Sequence, residues 1–152
     1  MAFRAVPATQ PPASTLIEAM YEEILGMYGH KGQREAKWLE PIPGGFDAPG
    51  GACLVGEDDG VALCVGGLRD LGDGVCEIKR MYVVPEARGN GVARLLLAAL
   101  EHVARDMGYA RVRLDTGPDQ PHARRLYERS GYVEIPDYNG NAWAAFWGEK
   151  EL

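Results

Sequence analysis

The stretch from Glu77 to Ala93 constrains this chain more than any other. A strand-like run, Val75 to Val84, stops at Pro85 and gives way to Glu86-Ala87-Arg88-Gly89-Asn90-Gly91-Val92-Ala93. Helical spacing then takes over, with Val92, Leu96, Ala99, Leu100, Val103 and Met107 on one face. The order is therefore strand, glycine-bearing loop, helix. Glycine admits positive φ, so successive backbone N–H groups can point into one concavity. The helix that follows adds its own free N–H groups and the positive end of its dipole. Such a junction suits a pyrophosphate, and Arg88 can add charge-assisted hydrogen bonds worth about 1.5–3 kcal/mol each. Taken alone, the same residues fit an ordinary turn with a helix cap. Neither a Walker lysine pattern nor Gly-x-Gly-x-x-Gly is present, which weakens mononucleotide and dinucleotide readings.

The flanking sequence predicts the remaining elements. Phe3 to Val6 reads as a short strand closed by Pro7, and Ser14 or Thr15 suits the cap of a helix ended by Gly29 and Gly32. From Gln33 to Gly51 prolines and glycines dominate, predicting a long loop with a short helix around Glu35 to Leu39. Ala52 to Glu57, Val61 to Leu68 and Val75 to Val84 form an antiparallel meander, with Asp58-Asp59-Gly60 as one turn. A strand follows at Arg111 to Asp115, then a helix from Pro121 to Gly131. Tyr132 to Ile135 and Trp143 to Trp147 are the last two expected strands. The result is an α/β chain with a mixed, largely antiparallel sheet, expected as one domain over residues 1–152.

Composition narrows the function classes. With 46% hydrophobic and 25% charged residues, the chain matches ordinary globular usage and has no membrane-length apolar run. A net charge of −6 disfavours nucleic acid, whose binding needs Lys and Arg against phosphates, and mildly favours cationic partners. Cys53, Cys64 and Cys76 lack metal spacing and sit in apolar runs, as buried reduced thiols do. The first twelve residues hold no secretory-type apolar run, so a cytoplasmic location is the expectation.

Two ordered motifs carry a family resemblance. Arg88, Gly91 and Ala93 satisfy the pattern of Arg or Gln, two residues, Gly, one residue, then Gly or Ala. Ala123 to Tyr132 adds a Leu126-Tyr127 pair on a helix that ends at Gly131-Tyr132. In both respects the chain resembles the GNAT family of N-acetyltransferases, most clearly over residues 66–132. The resemblance implies acetyl-CoA in a cleft between splayed fourth and fifth strands. By carry-over, Met81, Tyr82 and Val83 would pair with the pantetheine through their backbone. Arg88, Gly89, Asn90, Gly91, Val92 and Ala93 would hold the pyrophosphate. Gln120 stands where many members carry Asn, three residues before Ala123.

Acetyl transfer to an amine needs a neutral nucleophile, a polarised thioester carbonyl and a proton for the departing thiolate. Glu77 occupies a strand position where some members carry a base, and Tyr127 matches the family tyrosine that donates to the thiolate. A backbone N–H near Met81 or Tyr82 would polarise the carbonyl. Each residue also has a plainer role: Glu77 in a surface ion pair with Lys79 or an arginine, Tyr127 as a helix-face aromatic, Met81 and Tyr82 as packing residues. The 33–51 loop, with Trp38 and Phe46, and the stretch Ile135 to Asn141 are the expected acceptor wall. Trp143 and Trp147 suggest sheet packing or a homodimer contact. The expected acceptor is an amine on a small molecule or protein. The alternative is an acyl-CoA-binding sensor with little turnover.

Overall fold

The structure, a computed structural model, describes residues 1–35, 45–118 and 120–152. In chain order the elements are β1 (Ala2–Ala5), α1 (Ala13–Glu35), β2 (Ala52–Asp58), β3 (Val61–Gly72), β4 (Val75–Val83), α2 (Val92–Asp106), β5 (Arg111–Thr116), α3 (Pro121–Arg129), β6 (Val133–Glu134) and β7 (Phe146–Glu151). All seven strands join one sheet in the order β1-β2-β3-β4-β5-β7-β6. Every pairing is antiparallel except β4 with β5. The β2–β3 turn places Asp59 and Gly60 at φ 49° and 77°, the doubly left-handed geometry that an Asp-Gly hairpin favours.

Alternation along the strands sends two sets of side chains to opposite faces. Leu54, Cys64, Leu68, Cys76, Ile78, Val112 and Leu114 meet α2 and α3 in the larger core. Cys53, Val55 and Val65 meet Val6, Ala13 and Leu16 of the β1–α1 segment in the smaller one. Leu96, Leu97 and Leu100 of α2 are buried to within 1%. Each such leucine stabilises the fold by about 1.5–3 kcal/mol. Glu101, also on α2, is satisfied by the Tyr132 hydroxyl at 3.0 Å and Lys150 Nζ at 2.9 Å, tying the helix to β7.

Several boundaries differ from the sequence expectations. Helix α1 runs through Gly29 and Gly32 to Glu35, so two glycines do not stop it. Loss of about 1 kcal/mol at each is a propensity term, which the rest of a long helix can outweigh. The buried face of α2 uses Leu97 and Ala104, whereas Met107 is 42% exposed, because the helix has ended at Asp106. The last strand is not Trp143 to Trp147 but Phe146–Glu151. Asn141 caps a turn there: its side-chain oxygen accepts from Trp143 N, and its carbonyl from Ala144 N. Phe146 and Gly148 then face inward, and the charged residues that follow keep the strand paired to β5. The proposed short helix at Glu35 to Leu39, and Trp38 with it, lies outside the described residues.

The feature that positions everything functional is the β4–β5 pairing. Only Val75, Cys76 and Glu77 pair with Arg111, Val112 and Arg113. Beyond them β4 continues against β3 to Val83, while β5 continues against β7 to Thr116. The two strands part, as the resemblance implied, and a cleft opens between them.

Candidate active site

The cleft holds about 940 Å³ and is walled by β4, the loop after it, the start of α2, the end of β5, α3 and one side of α1. That volume is within the range of small-molecule and cofactor sites. Met81, Tyr82, Val83, Arg88, Gly89, Gly91, Val92, Ala93, Gln120 and Tyr127 all line it. Asn90 and Glu77 do not.

At one end lies the glycine loop. After a 3₁₀ turn over Pro85–Ala87, Gly89 and Gly91 take φ of 80° and 76°. A side chain at either would be strained whatever the space around it, and a β-carbon there would meet nothing within 4 Å. Gly91 is the left-handed residue from which α2 begins, so the free N–H groups of its first turn open toward the cleft. Asn90 braces the loop from behind, its amide donating to the Ala87 and Arg88 carbonyls. Arg88 is held on two sides: Nη2 meets Glu23 of α1 at 2.6 Å, and Nε donates to the Val83 carbonyl at 3.0 Å. Its guanidinium also lies over the Tyr82 ring.

Midway along β4 the ladder slips. Val65 faces Tyr82 and Gly67 faces Lys79, so Gly66 alone opposes both Arg80 and Met81. Arg80 sits at φ 59°, a left-handed conformation uncommon outside glycine. This bulge redirects the backbone where β4 borders the cleft, and nothing in the sequence announced it. Gly66 makes room for it: a β-carbon there would come within 2.9 Å of Leu100 and 3.2 Å of Met81.

Tyr127 reaches the cleft from α3 and is 7% exposed. Its hydroxyl approaches the Met81 sulfur at 3.9 Å, and its ring meets Tyr132 edge-on. Burial, followed by the nearby Asp115 carboxylate, pushes the Tyr127 phenol well above its ordinary range, which keeps the proton on oxygen. Gln120 is the N-cap residue of α3, ahead of Pro121.

Glu77 does pair with Lys79, at 3.9 Å, and with an arginine, Arg69, but it is fully buried and the pairs are not on the surface. Arg69 Nε donates to its Oε1 at 2.8 Å, while Tyr138 and Asn139 donate to Oε2 at 2.6 and 3.1 Å. Asn139 also donates to Asp115 Oδ2 at 2.6 Å, which Asn141 approaches at 3.2 Å and Lys79 at 3.4 Å. Two carboxylates, two cations and the loop between β6 and β7 thus form one network at the fork of the sheet. Sequence reasoning placed that loop near the acceptor side but missed Arg69 and Asp115. The signal available was parity: Arg113 and Asp115 alternate with buried Val112 and Leu114 and so share a face.

The expected acceptor wall is partly rearranged. Phe46 is buried beneath β3, its ring directly over Gly67, and belongs to the smaller core. Trp143 lines the cleft, and Trp147 donates to Asn139 Oδ1 at 3.0 Å. Among the described residues no group of His, Cys, Asp and Glu could hold a metal, and no helix is long and apolar enough to cross a membrane.

Known proteins resemble this chain in sequence and in fold. The model of the acetyltransferase (GNAT) family matches residues 17–132. An uncharacterized N-acetyltransferase of Escherichia coli is 35% identical over 96 residues, covering 61% of this chain and 57% of that protein. The chain thus spans little more than half the length of that curated relative. A provisionally assigned acyl-CoA N-acyltransferase of Klebsiella pneumoniae superposes over 99% of this chain and 97% of its own, with TM-score 0.76 and 26% identity. A GNAT acetyltransferase of Elizabethkingia anophelis, solved with acetyl-CoA bound, shares the fold at TM-score 0.68 and 15% identity, covering 99% and 97% of the two chains.

Proposed function

The chain belongs to the GNAT family of acetyltransferases, and from that premise we propose that it moves an acetyl group from acetyl-CoA to a primary amine. The observation that carries this reading is the parting of β4 and β5, which gathers the glycine loop, the bulged strand edge and Tyr127 along one cleft. The cleft also suits a polyanion. Among the described residues, Lys79, Arg80, Arg88, Arg94 and Arg129 line it against Glu23 and Asp115, although the chain as a whole carries −6.

In this reading the α2 N-terminus and Arg88 hold the pyrophosphate, with Gly89, Gly91, Val92 and Ala93 shaping the loop and Asn90 bracing it. The free edge of β4 at Met81, Tyr82 and Val83 receives the pantetheine as an added strand would be received. Gln120 borders the same arm. Acetyl-CoA supplies an activated acyl group as a thioester; the protein orients it and manages the protons. The amine's proton enters the carboxylate network built on Glu77 and Asp115, and Tyr127 gives its proton to the departing sulfur. A single catalytic domain fits the one continuous sheet, and a reducing compartment such as the cytoplasm fits three buried free thiols.

Titration calorimetry with coenzyme A tests the cradle. Wild type should bind, and Arg88→Ala should bind about tenfold or more weakly, the loss of a charge-assisted contact of at least about 1.5 kcal/mol. Equal affinity in the two would remove Arg88 from the site. A panel of small amines and lysine peptides with thiol detection then tests transfer; binding with no thiol release from any amine would favour a sensor.

A further inference from the structure

We propose that Asp115 is the carboxylate that receives the amine proton, with Glu77 acting behind it as a positioning residue. The proposal rests on the acetyl-transfer reading and assigns a catalytic role at that same site. Its basis is the geometry of the fork. Glu77 belongs to the last residue pair that still joins β4 to β5. Lys79 and Asp115 lie two residues further along their strands, past the parting, and both line the cleft. Glu77 is wholly buried and does not line it, whereas the Asp115 side chain keeps 10% of its surface exposed.

The bonding separates the two carboxylates as clearly as burial does. Both Glu77 oxygens are engaged, Oε1 by Arg69 and Oε2 by Tyr138 and Asn139. The donors recorded for Asp115, from Lys79, Asn139 and Asn141, converge on Oδ2. An amine entering the cleft therefore meets Asp115 first. Asn139 donates to both carboxylates, so the position of Glu77 fixes the orientation of Asp115. Asp115 also lies close enough to influence the Tyr127 phenol, which places base and acid at one end of the cleft.

The proton balance closes. The amine enters neutral and attacks the thioester carbonyl carbon; a C–N bond forms and the C–S bond breaks. The surplus proton on nitrogen goes to Asp115, and sulfur takes the proton of Tyr127. Asp115 then releases its proton through water, restoring the phenol, so that amine and thioester become amide and thiol. Among the described residues, the charged and titratable groups near Asp115 are Lys79 and Glu77 from β4, Tyr127 from α3, Tyr138 from the β6–β7 loop and Arg113 on the same face of its own strand. Trp147, opposite it on β7, does not titrate.

The test uses the full chain, acetyl-CoA, and hydroxylamine as a nucleophile small enough to enter whatever the acceptor's shape. Thiol release is followed at one constant pH, with coenzyme A affinity and thermal melting as checks on folding. Asp115→Asn should lower kcat about 100-fold, with coenzyme A affinity unchanged within about twofold. Asp115→Glu should restore part of the rate, and added formate should do the same for Asp115→Ala, because a small carboxylate can enter from the cleft. Glu77→Gln should reduce the rate less and should not respond to formate. Three results would overturn the proposal: an unchanged kcat in Asp115→Asn, a larger loss in Glu77→Gln than in Asp115→Asn, or no wild-type rate above the spontaneous one. Wild type that fails to bind coenzyme A would instead remove the acetyl-transfer reading on which the proposal stands.

Discussion

At the scale of the residue, Tyr127 shows how much environment adds to identity. Burial and the neighbouring Asp115 charge raise its phenol, so the proton stays on oxygen until a thiolate forms beside it. Tyr127→Phe removes only the hydroxyl and leaves the edge-on contact with Tyr132 in place. We expect kcat to fall by about 100-fold, with coenzyme A affinity almost unchanged. Steady-state kinetics beside calorimetry would check this, and an unaltered kcat would return Tyr127 to a packing role. The Tyr127 position was legible in sequence because it sits in a local motif. Asp115 was not, because its partners stand 24 to 36 residues away in the chain and only the fold brings them together.

Elements were legible where backbone chemistry, rather than side-chain pattern, decided them. Pro85, Gly89 and Gly91 fix the turn into α2 through φ alone, and the structure places them as the sequence suggested. Strand β7 was misplaced because Trp143 to Trp147 is the more apolar stretch, while the true strand ends in Glu149-Lys150-Glu151. Pairing with β5, with Arg113 meeting Glu149 at 2.7 Å, decides it instead. The bulge at Arg80 has no local signal at all. Its enabling residue is Gly66 on the neighbouring strand, and Gly67 beside it serves a different purpose. A β-carbon at Gly67 would lie within 2.5 Å of the Phe46 ring. Gly67→Ala should therefore destabilise the protein by about 1–3 kcal/mol, seen as a lower Tm in thermal melts. Pairing it with Phe46→Leu should recover part of that loss; an unchanged Tm in the single variant would contradict the packing described here.

Across the whole molecule, net charge proved a poor guide to the cleft. Acidic residues dominate the total, yet among the described residues the charged groups that line the cleft are mostly cationic, so the mild preference for cationic partners read from −6 does not carry over to this surface. A second global property is the response to alkali. Burial raises Cys53 and Cys76 to about 12 and Cys64 to about 11, from a usual value of 9.0. A folded-state pKa raised in this way contributes stability that is complete below the unfolded value and lost as pH climbs toward the folded one. Tyr127, Tyr132 and Tyr138 are shifted in the same sense. Tm should thus hold to about pH 8 and decline from about pH 9 to about pH 11. Native protein at neutral pH should also resist iodoacetamide at all three thiols, and unfolded protein should not. Rapid native alkylation, read by mass spectrometry, would contradict their burial.

The three residue pairs joining β4 to β5 carry one more consequence. Mechanically the sheet is two plates, β1 to β4 and β5-β7-β6, held along a seam much shorter than either plate. A ligand strand lying in the gap would act as a splint, restoring hydrogen-bonded continuity across the centre of the molecule. Occupancy and rigidity would then rise together, and a ligand at a hundred times its Kd would add about 2.7 kcal/mol to the folded state. The donor would be reagent and missing strand at once.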